Sequence, residues 1–176
     1  MAAMLFDSLF PWAWLTRLGE AQILLPLAGL AMAWLWLAAG QGRQVLRWLA
    51  GLVGATALTT LSKLAFIGWG WGFADWDFTG ISGHAMFAAA CLPMLAWAGL
   101  QGRSRRLQGC GLALAFGLAG LIGYSRLPVG AHSVSEVLAG FALGAAVSLI
   151  GLQHRSESRP AGLPPLWLPA ALAAAL

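Results

Sequence analysis

SGHAMFAAACLPMLAWAGL, residues 82–100, decides how the chain must be read. It contains no acidic or basic residue, and its one titratable group besides the Cys91 thiol, His84, stands at its head. As a helix it would rise roughly 28 Å, close to the ~30 Å hydrocarbon core of a bilayer. Two further stretches of the same length follow, LQGCGLALAFGLAGLIGYS at 107–125 and SVSEVLAGFALGAAVSLIG at 133–151. Upstream, 21–39 and 46–70 read the same way, the second long enough to tilt. The aromatic stretch 5–18, broken by Pro11, reads as an interfacial segment with Trp12 and Trp14 at headgroup depth. Residues 163–176 are apolar but too few to span, and read as part of a sixth span. The expected fold is therefore all-α: one membrane-embedded domain over 1–176, a polytopic transmembrane helical bundle of five spans plus a partial sixth, with an N-terminal interfacial helix.

Composition supports the bilayer as solvent. The chain is 60% hydrophobic and 9% charged, with a mean hydropathy of +0.77, whereas soluble domains carry about 25% charged residues. The net charge of +4 is spread without a basic stripe, which argues against a nucleic-acid partner. Cys91 and Cys110 lie in apolar runs and read as core packing. No stretch reads as a cleaved signal peptide, since Asp7 precedes every basic residue.

The basic residues orient the bundle. Arg43 and Arg47, then Arg103, Arg105 and Arg106, then Arg155 and Arg159 fall in segments on one side, seven of the ten basic residues. The positive-inside rule makes that side cytoplasmic. The loops 71–81 and 126–132 then face the other side, the periplasm or exterior if the membrane is a bacterial inner membrane.

The unusual residues fall on that second side. Lys63 is the only lysine and lies within a span; Ser82, Gly83 and His84 open the third span; Arg126 follows the fourth; His132 and Glu136 open the fifth. Each has a bland reading: a snorkelling lysine, a serine N-cap, a headgroup anchor, an i,i+4 pair. His154, in the basic tail, has no evident role. Together, ionisable groups at membrane depth point to function. Lys63, Arg126 and the helix N-terminus at Ser82-Gly83 suit an anionic phosphate ester, and Gly83 admits a close backbone approach. Two histidines can divide nucleophile and proton donor between them. His132 has a carboxylate four residues on, on the same helical face, which can hold one ring nitrogen and leave the other free.

ISGH at 81–84 and SRLPVGAHSVSE at 125–136 resemble the second and third motifs of the type-2 phosphatidic acid phosphatase superfamily, P-S-G-H and S-R-x5-H-x3-D, and Lys63 resembles the start of the first, K-x6-R-P. The resemblance covers about 63–136. It implies a phosphohistidine on His132, acid catalysis by His84, phosphate held by Lys63, Ser82, Gly83 and Arg126, Glu136 orienting His132, and neither metal nor cofactor. Three positions depart from the motifs. Ile81 replaces the proline, Glu136 replaces the aspartate, and Gly70 stands where the first motif has its arginine. Arg17 is a candidate to replace that clamp. Asp75 and Asp77 read as a solvated loop or as headgroup contacts, and Trp69, Trp71 and Trp76 as an aromatic belt or a wall guiding a lipid tail.

The expected function is a membrane phosphatase for a lipid phosphate or diphosphate, with a membrane lipid as substrate partner. The alternatives are a phosphotransferase and a non-catalytic phosphate-binding or transport module. The orientation is checked by labelling. Cysteines placed in 71–81 and 126–132 should react with an impermeant thiol reagent in intact cells, in an outer-membrane-permeabilised strain where needed. Labelling confined to 102–106 would reverse the topology.

Overall fold

The computed structural model describes residues 12–153. Six helices follow one another: α1 (Trp12–Arg17), α2 (Ala21–Leu37), α3 (Gly42–Trp69), α4 (Gly83–Gly99), α5 (Arg105–Ser125) and α6 (Val134–Leu152). Among the described residues the only β pairing is an isolated bridge between Phe73 and Phe78, which closes the loop between α3 and α4 around a 3-10 turn at Ala74–Trp76. Helices are what an apolar sequence must form in lipid, because every backbone N–H and C=O has to be satisfied within the segment.

All five expected spans are helical, with shifted ends. The helices α3, α5 and α6, of 28, 21 and 19 residues, are long and apolar enough to cross a membrane. Those at 21–39 and 82–100 are shorter than expected: α2 and α4 have 17 residues each. Helix α4 is the central helix, buried along nearly its whole length, so protein rather than lipid surrounds it. Of the interfacial segment 5–18, α1 is the described part; the rest, the partial span at 163–176, and His154 lie outside the described residues. Cys91 is buried as expected, but Cys110 is exposed on α5, a lipid-facing rather than a core cysteine. The outer faces of α3 and α5 likewise carry large exposed residues, among them Val53, Leu61, Ile67 and Leu114. So much contiguous apolar surface is tolerated in lipid and not in water, and the chain is an integral membrane protein.

The helix ends obey local rules. Ser104 caps α5 by accepting from Leu107 N at 3.3 Å. Ser133 and Glu136 form a capping box at the head of α6. At its C-terminal end α3 stops on Gly70, whose φ of +66° is the left-handed conformation glycine adopts without strain. On the side opposite these last two, Gln41 and Gln101 exchange two amide hydrogen bonds of 3.1 and 2.8 Å, tying the α2–α3 turn to the end of α4.

The tightest packing is α4 on α6. Gly140 faces the Ser82 carbonyl, Gly144 the Met86 carbonyl, and Gly151 the Met94 thioether, so closely that a Cβ at any of the three would crowd or collide with its neighbour. The pairs 82/140, 86/144 and 94/151 advance in the same direction, so the two helices run parallel. Small residues four apart let the backbones meet, as in membrane helix pairs generally. One consequence governs the site: the N-termini of α4 and α6 lie side by side.

Because Gly144 abuts backbone, the contact cannot relax by rotating a side chain. Gly144→Ala should cost about 1–3 kcal/mol and lower the melting temperature in detergent, whereas Leu114→Ala, at a lipid-facing position 75% exposed, should stay within about 0.5 kcal/mol. Equal melting shifts for the two variants would show that the glycine contact does not set the helix spacing.

Candidate active site

The head of α6 brings His132 and Glu136 together. His132 Nδ1 lies 2.6 Å from Glu136 Oε2. With the carboxylate ionised, Nδ1 carries the proton and donates it. Among the described residues Nε2 has no hydrogen-bond partner, so its lone pair is free to act as a nucleophile. The pairing expected from the i,i+4 spacing is thus present.

Glu136 is 3% exposed, and a carboxylate that deep needs donors. It has them. Oε1 accepts from Thr79 N at 2.6 Å, Thr79 Oγ1 at 2.5 Å and Gly80 N at 3.1 Å. Oε2 accepts from Ser133 N at 3.2 Å as well as from His132. The Glu136 backbone carbonyl accepts from Ser82 N at 3.1 Å, which locks the head of α4 to α6. Beside this, Ser135 Oγ donates to the Trp76 carbonyl at 2.7 Å, so the 71–81 loop is fastened to α6 at two points.

Ser82 does not behave as the N-cap of the bland reading. Its hydroxyl caps none of the α4 N–H groups and is fully buried with no partner. A Cβ on Gly83 would meet only the Thr59 methyl, at an ordinary contact distance of 3.9 Å, so there is room beside that backbone. Unpaired donors at a helix N-terminus next to open space form an anion-binding arrangement. Thr59 Oγ1, one turn before Lys63 on α3, is likewise buried and unpartnered.

The cations surround this point. Lys63 packs against Gly80, where an added Cβ would come within 2.8 Å of the lysine Cγ. The neighbouring Ser62 hydroxyl accepts from Ile81 N at 3.0 Å, holding α3 to the approach to α4. Arg126, Lys63 and His132 all act electrostatically on His84, which places the four in one cluster. Arg126 Nη1 donates to Thr16 Oγ1 at 2.7 Å, while its Nε is buried without a partner. Burial lowers the proton affinity of the Arg126 guanidinium and the Glu20 carboxylate restores part of it. A partly desolvated cation with an unused donor is prepared for an anion.

Every sequence candidate except the substitute clamp thus converges: Lys63, Ser82, Gly83, His84, Arg126, His132 and Glu136. Arg17 does not join them. Its side chain lies over the Trp14 ring at 5.5 Å and approaches Glu20 at 3.9 Å. Asp75 and Asp77 enter none of the site's hydrogen bonds, in line with a solvated loop, and Trp69, Trp71 and Trp76 are all exposed around its rim. Thr16, Thr59, Thr79 and Gly80 carry no sequence signal that would have marked them. Ser133 was likewise not singled out, although its S-x-x-E spacing to Glu136 is the pattern of a capping box. Among the described residues no three His, Cys, Asp or Glu side chains gather as metal ligands.

Comparison with known proteins places this geometry in a family. The PAP2 superfamily matches residues 55–159, the region holding every candidate except α1. The chain is also 39% identical over 145 residues to an "Uncharacterized 22.5 kDa protein in cps region" of Klebsiella pneumoniae, covering 80% of this chain and 68% of that one. No solved structure matches. A family match across most of the bundle, with the motif histidines drawn into one cluster, means that the chain belongs to the PAP2 superfamily, that of the type-2 phosphatidic acid phosphatases.

Proposed function

We propose that the protein is an integral membrane phosphatase that hydrolyses a lipid phosphate or lipid diphosphate through a phosphohistidine, at the periplasmic or exterior face of a bacterial inner membrane. The observation that carries the reading is the 2.6 Å contact between His132 Nδ1 and the buried Glu136 carboxylate. It fixes the ring and leaves Nε2 without a hydrogen-bond partner among the described residues, an arrangement that suits a nucleophilic histidine.

The chemistry follows from the surrounding groups. Lys63, Arg126, the Ser82 hydroxyl and the N–H groups at Gly83 hold the phosphoryl oxygens. Nε2 of His132 forms a bond to phosphorus as the ester P–O bond breaks. His84 delivers its proton to the departing oxygen, and the substrate's own negative charge favours that proton among so many cations. Water then attacks phosphorus, the P–N bond breaks, the water's proton passes to His84, and inorganic phosphate leaves. Glu136 stabilises the positive charge that develops on the His132 ring. Fixed cations and helix N-termini supply the electrostatic stabilisation throughout.

A lipid substrate is supported by what adjoins the site. An open groove of about 820 Å³ runs beside the head of α6, lined by Phe73, Trp76, Phe78, Val134 and Leu138, with Ser135 as its polar member. A second, smaller groove of about 360 Å³ lies on the other side of the Val134–Leu138 ridge, against Tyr124 and Phe141. Both are lined by Val134, two residues after His132 in the chain, and a headgroup held at the cluster could leave its tail along such an apolar surface in the bilayer.

The test is phosphate release from a panel of lipid phosphates by purified protein, with an alkaline denaturing quench to trap the intermediate. Wild type should form an acid-labile, base-stable phosphoenzyme, be inhibited by vanadate, retain activity in EDTA, and show a bell-shaped pH profile because one histidine must be neutral while the other is protonated. His132→Ala should abolish the phosphoenzyme. His84→Ala should slow its formation less with a nitrophenyl leaving group than with an alkyl one. Glu136→Gln should keep the fold and lower turnover by about 100-fold or more. Lys63→Ala should lower catalytic efficiency roughly 10- to 150-fold. Activity lost in EDTA and restored by a divalent ion would sink the mechanism.

A further inference from the structure

The short helix α1 lies outside the region matched by the family, yet it and the turn after it touch two site residues, and a third contact falls two residues before Arg126. Thr16 Oγ1 accepts from Arg126 Nη1 at 2.7 Å. Gly19, just past the helix, is pressed against His84: a Cβ there would lie 3.2 Å from the His84 carbonyl oxygen and 3.3 Å from its Cβ. Trp12 meets Tyr124, two residues before Arg126, edge to face at 5.5 Å.

The atoms used on Arg126 matter. A guanidinium recognises two oxygens best through a planar edge carrying two parallel N–H groups. One such edge is formed by Nε and Nη2, and Nη1 projects away from it. Thr16 occupies Nη1. The opposite edge keeps no partner among the described residues, and its Nε is buried. Without an anchor, a long arginine side chain would lose rotamer freedom on each encounter with substrate. With Gly70 at the place of the first motif's arginine, the orientation of Arg126 weighs more in this chain.

We propose that Thr16 is a positioning residue: by holding Nη1 it presents the Nε/Nη2 edge of Arg126 to the phosphoryl group, so that a helix at the membrane interface sets the geometry of the phosphate clamp. The inference rests on the phosphatase reading of the site. The bland alternative is that the bond only pins α1 to the bundle. A purely structural bond would move stability and leave anion affinity untouched.

Thr16→Val removes the acceptor at nearly constant shape, and Thr16→Ser keeps it. The full-length protein in detergent would be assayed for lipid phosphate hydrolysis, for orthovanadate affinity and for melting temperature. Thr16→Val should raise KM and weaken vanadate binding roughly 5- to 30-fold with little change in melting temperature, and Thr16→Ser should restore both. In an Arg126→Lys background, where the planar edge is gone, Thr16→Val should add less than about twofold to either loss. An equal factor in both backgrounds, or wild-type KM and vanadate affinity in Thr16→Val, would overturn the proposal. Wild-type protein that binds vanadate but releases no phosphate from any lipid would overturn the phosphatase reading instead, leaving Thr16 to stand or fall on vanadate affinity. Wild-type protein that binds no vanadate and hydrolyses nothing would overturn both.

Discussion

A buried carboxylate is the constraint around which this bundle is arranged. Glu136 is enclosed at the head of α6, where an unpaired charge would cost several kcal/mol or more. Five donors meet it: the His132 ring, the Ser133 N–H, and three groups from Thr79 and Gly80. Each solves a different problem. Ser133 completes the helix cap. His132 gains its orientation. Thr79 and Gly80 bring the α3–α4 loop back onto α6, which delivers Ser82 and Gly83 to the same spot. Satisfying one charge therefore brings His132 and the heads of α4 and α6 together.

The parallel packing of α4 on α6 makes that economy available. Gly140 and Gly144 let the two backbones approach until carbonyls of α4 touch the glycines. Two adjacent N-termini then point the same way, toward the site, and their partial positive charges add to those of Lys63 and Arg126. The polar atoms left unpaired there are Ser82 Oγ, Thr59 Oγ1 and Arg126 Nε, all buried. Buried polar groups without partners are uncommon. Three of them lie beside two cations, and in the proposed function an anion is what they would bind.

Much of this was legible in the sequence because the physics involved is local. Apolar runs near 19 residues announce helices in lipid, and 107–125 and 133–151 became helices with ends moved by two or fewer residues. The His132–Glu136 pair was expected from an i,i+4 helical spacing; the contact is there, but His132 precedes the extended Ser133 cap, so the bend of the chain at the cap rather than a helical face brings the ring to the carboxylate. What escaped the reading is non-local. Thr79 reaches Glu136 across 57 residues and Thr16 reaches Arg126 across 110, and a lone threonine near a loop or helix end looks alike whether or not it has such a partner. Arg17 was the natural candidate for the absent clamp by charge, yet the same short helix contributes Thr16, an uncharged residue, because the face of α1 turned to Arg126 carries Thr16 while Arg17 turns to Trp14 and Glu20.

Gly70 shows why that departure from the first motif need not empty the site. An arginine there would occupy the left-handed backbone that ends α3, at a cost of about 1 kcal/mol for a residue with a Cβ. The glycine makes the stop clean: Gly70 N donates to Phe66 O at 2.8 Å and Trp71 N to Ala65 O at 3.3 Å. The chain then turns at once into the loop that must return to Glu136 nine residues later at Thr79. Position 70 is thus committed to geometry, and no neighbouring atom approaches within 4 Å of where its Cβ would be. The charge a first-motif arginine would bring is not made up by another cation at that position. What the fold offers in its place is orientation: a guanidinium at 126 anchored at one end, hydroxyls at 59 and 82 without other partners, and two helix heads. Against an anion in a desolvated pocket, fixed donors count for more than one additional mobile charge, since their ordering cost is met when the chain folds and not when substrate binds.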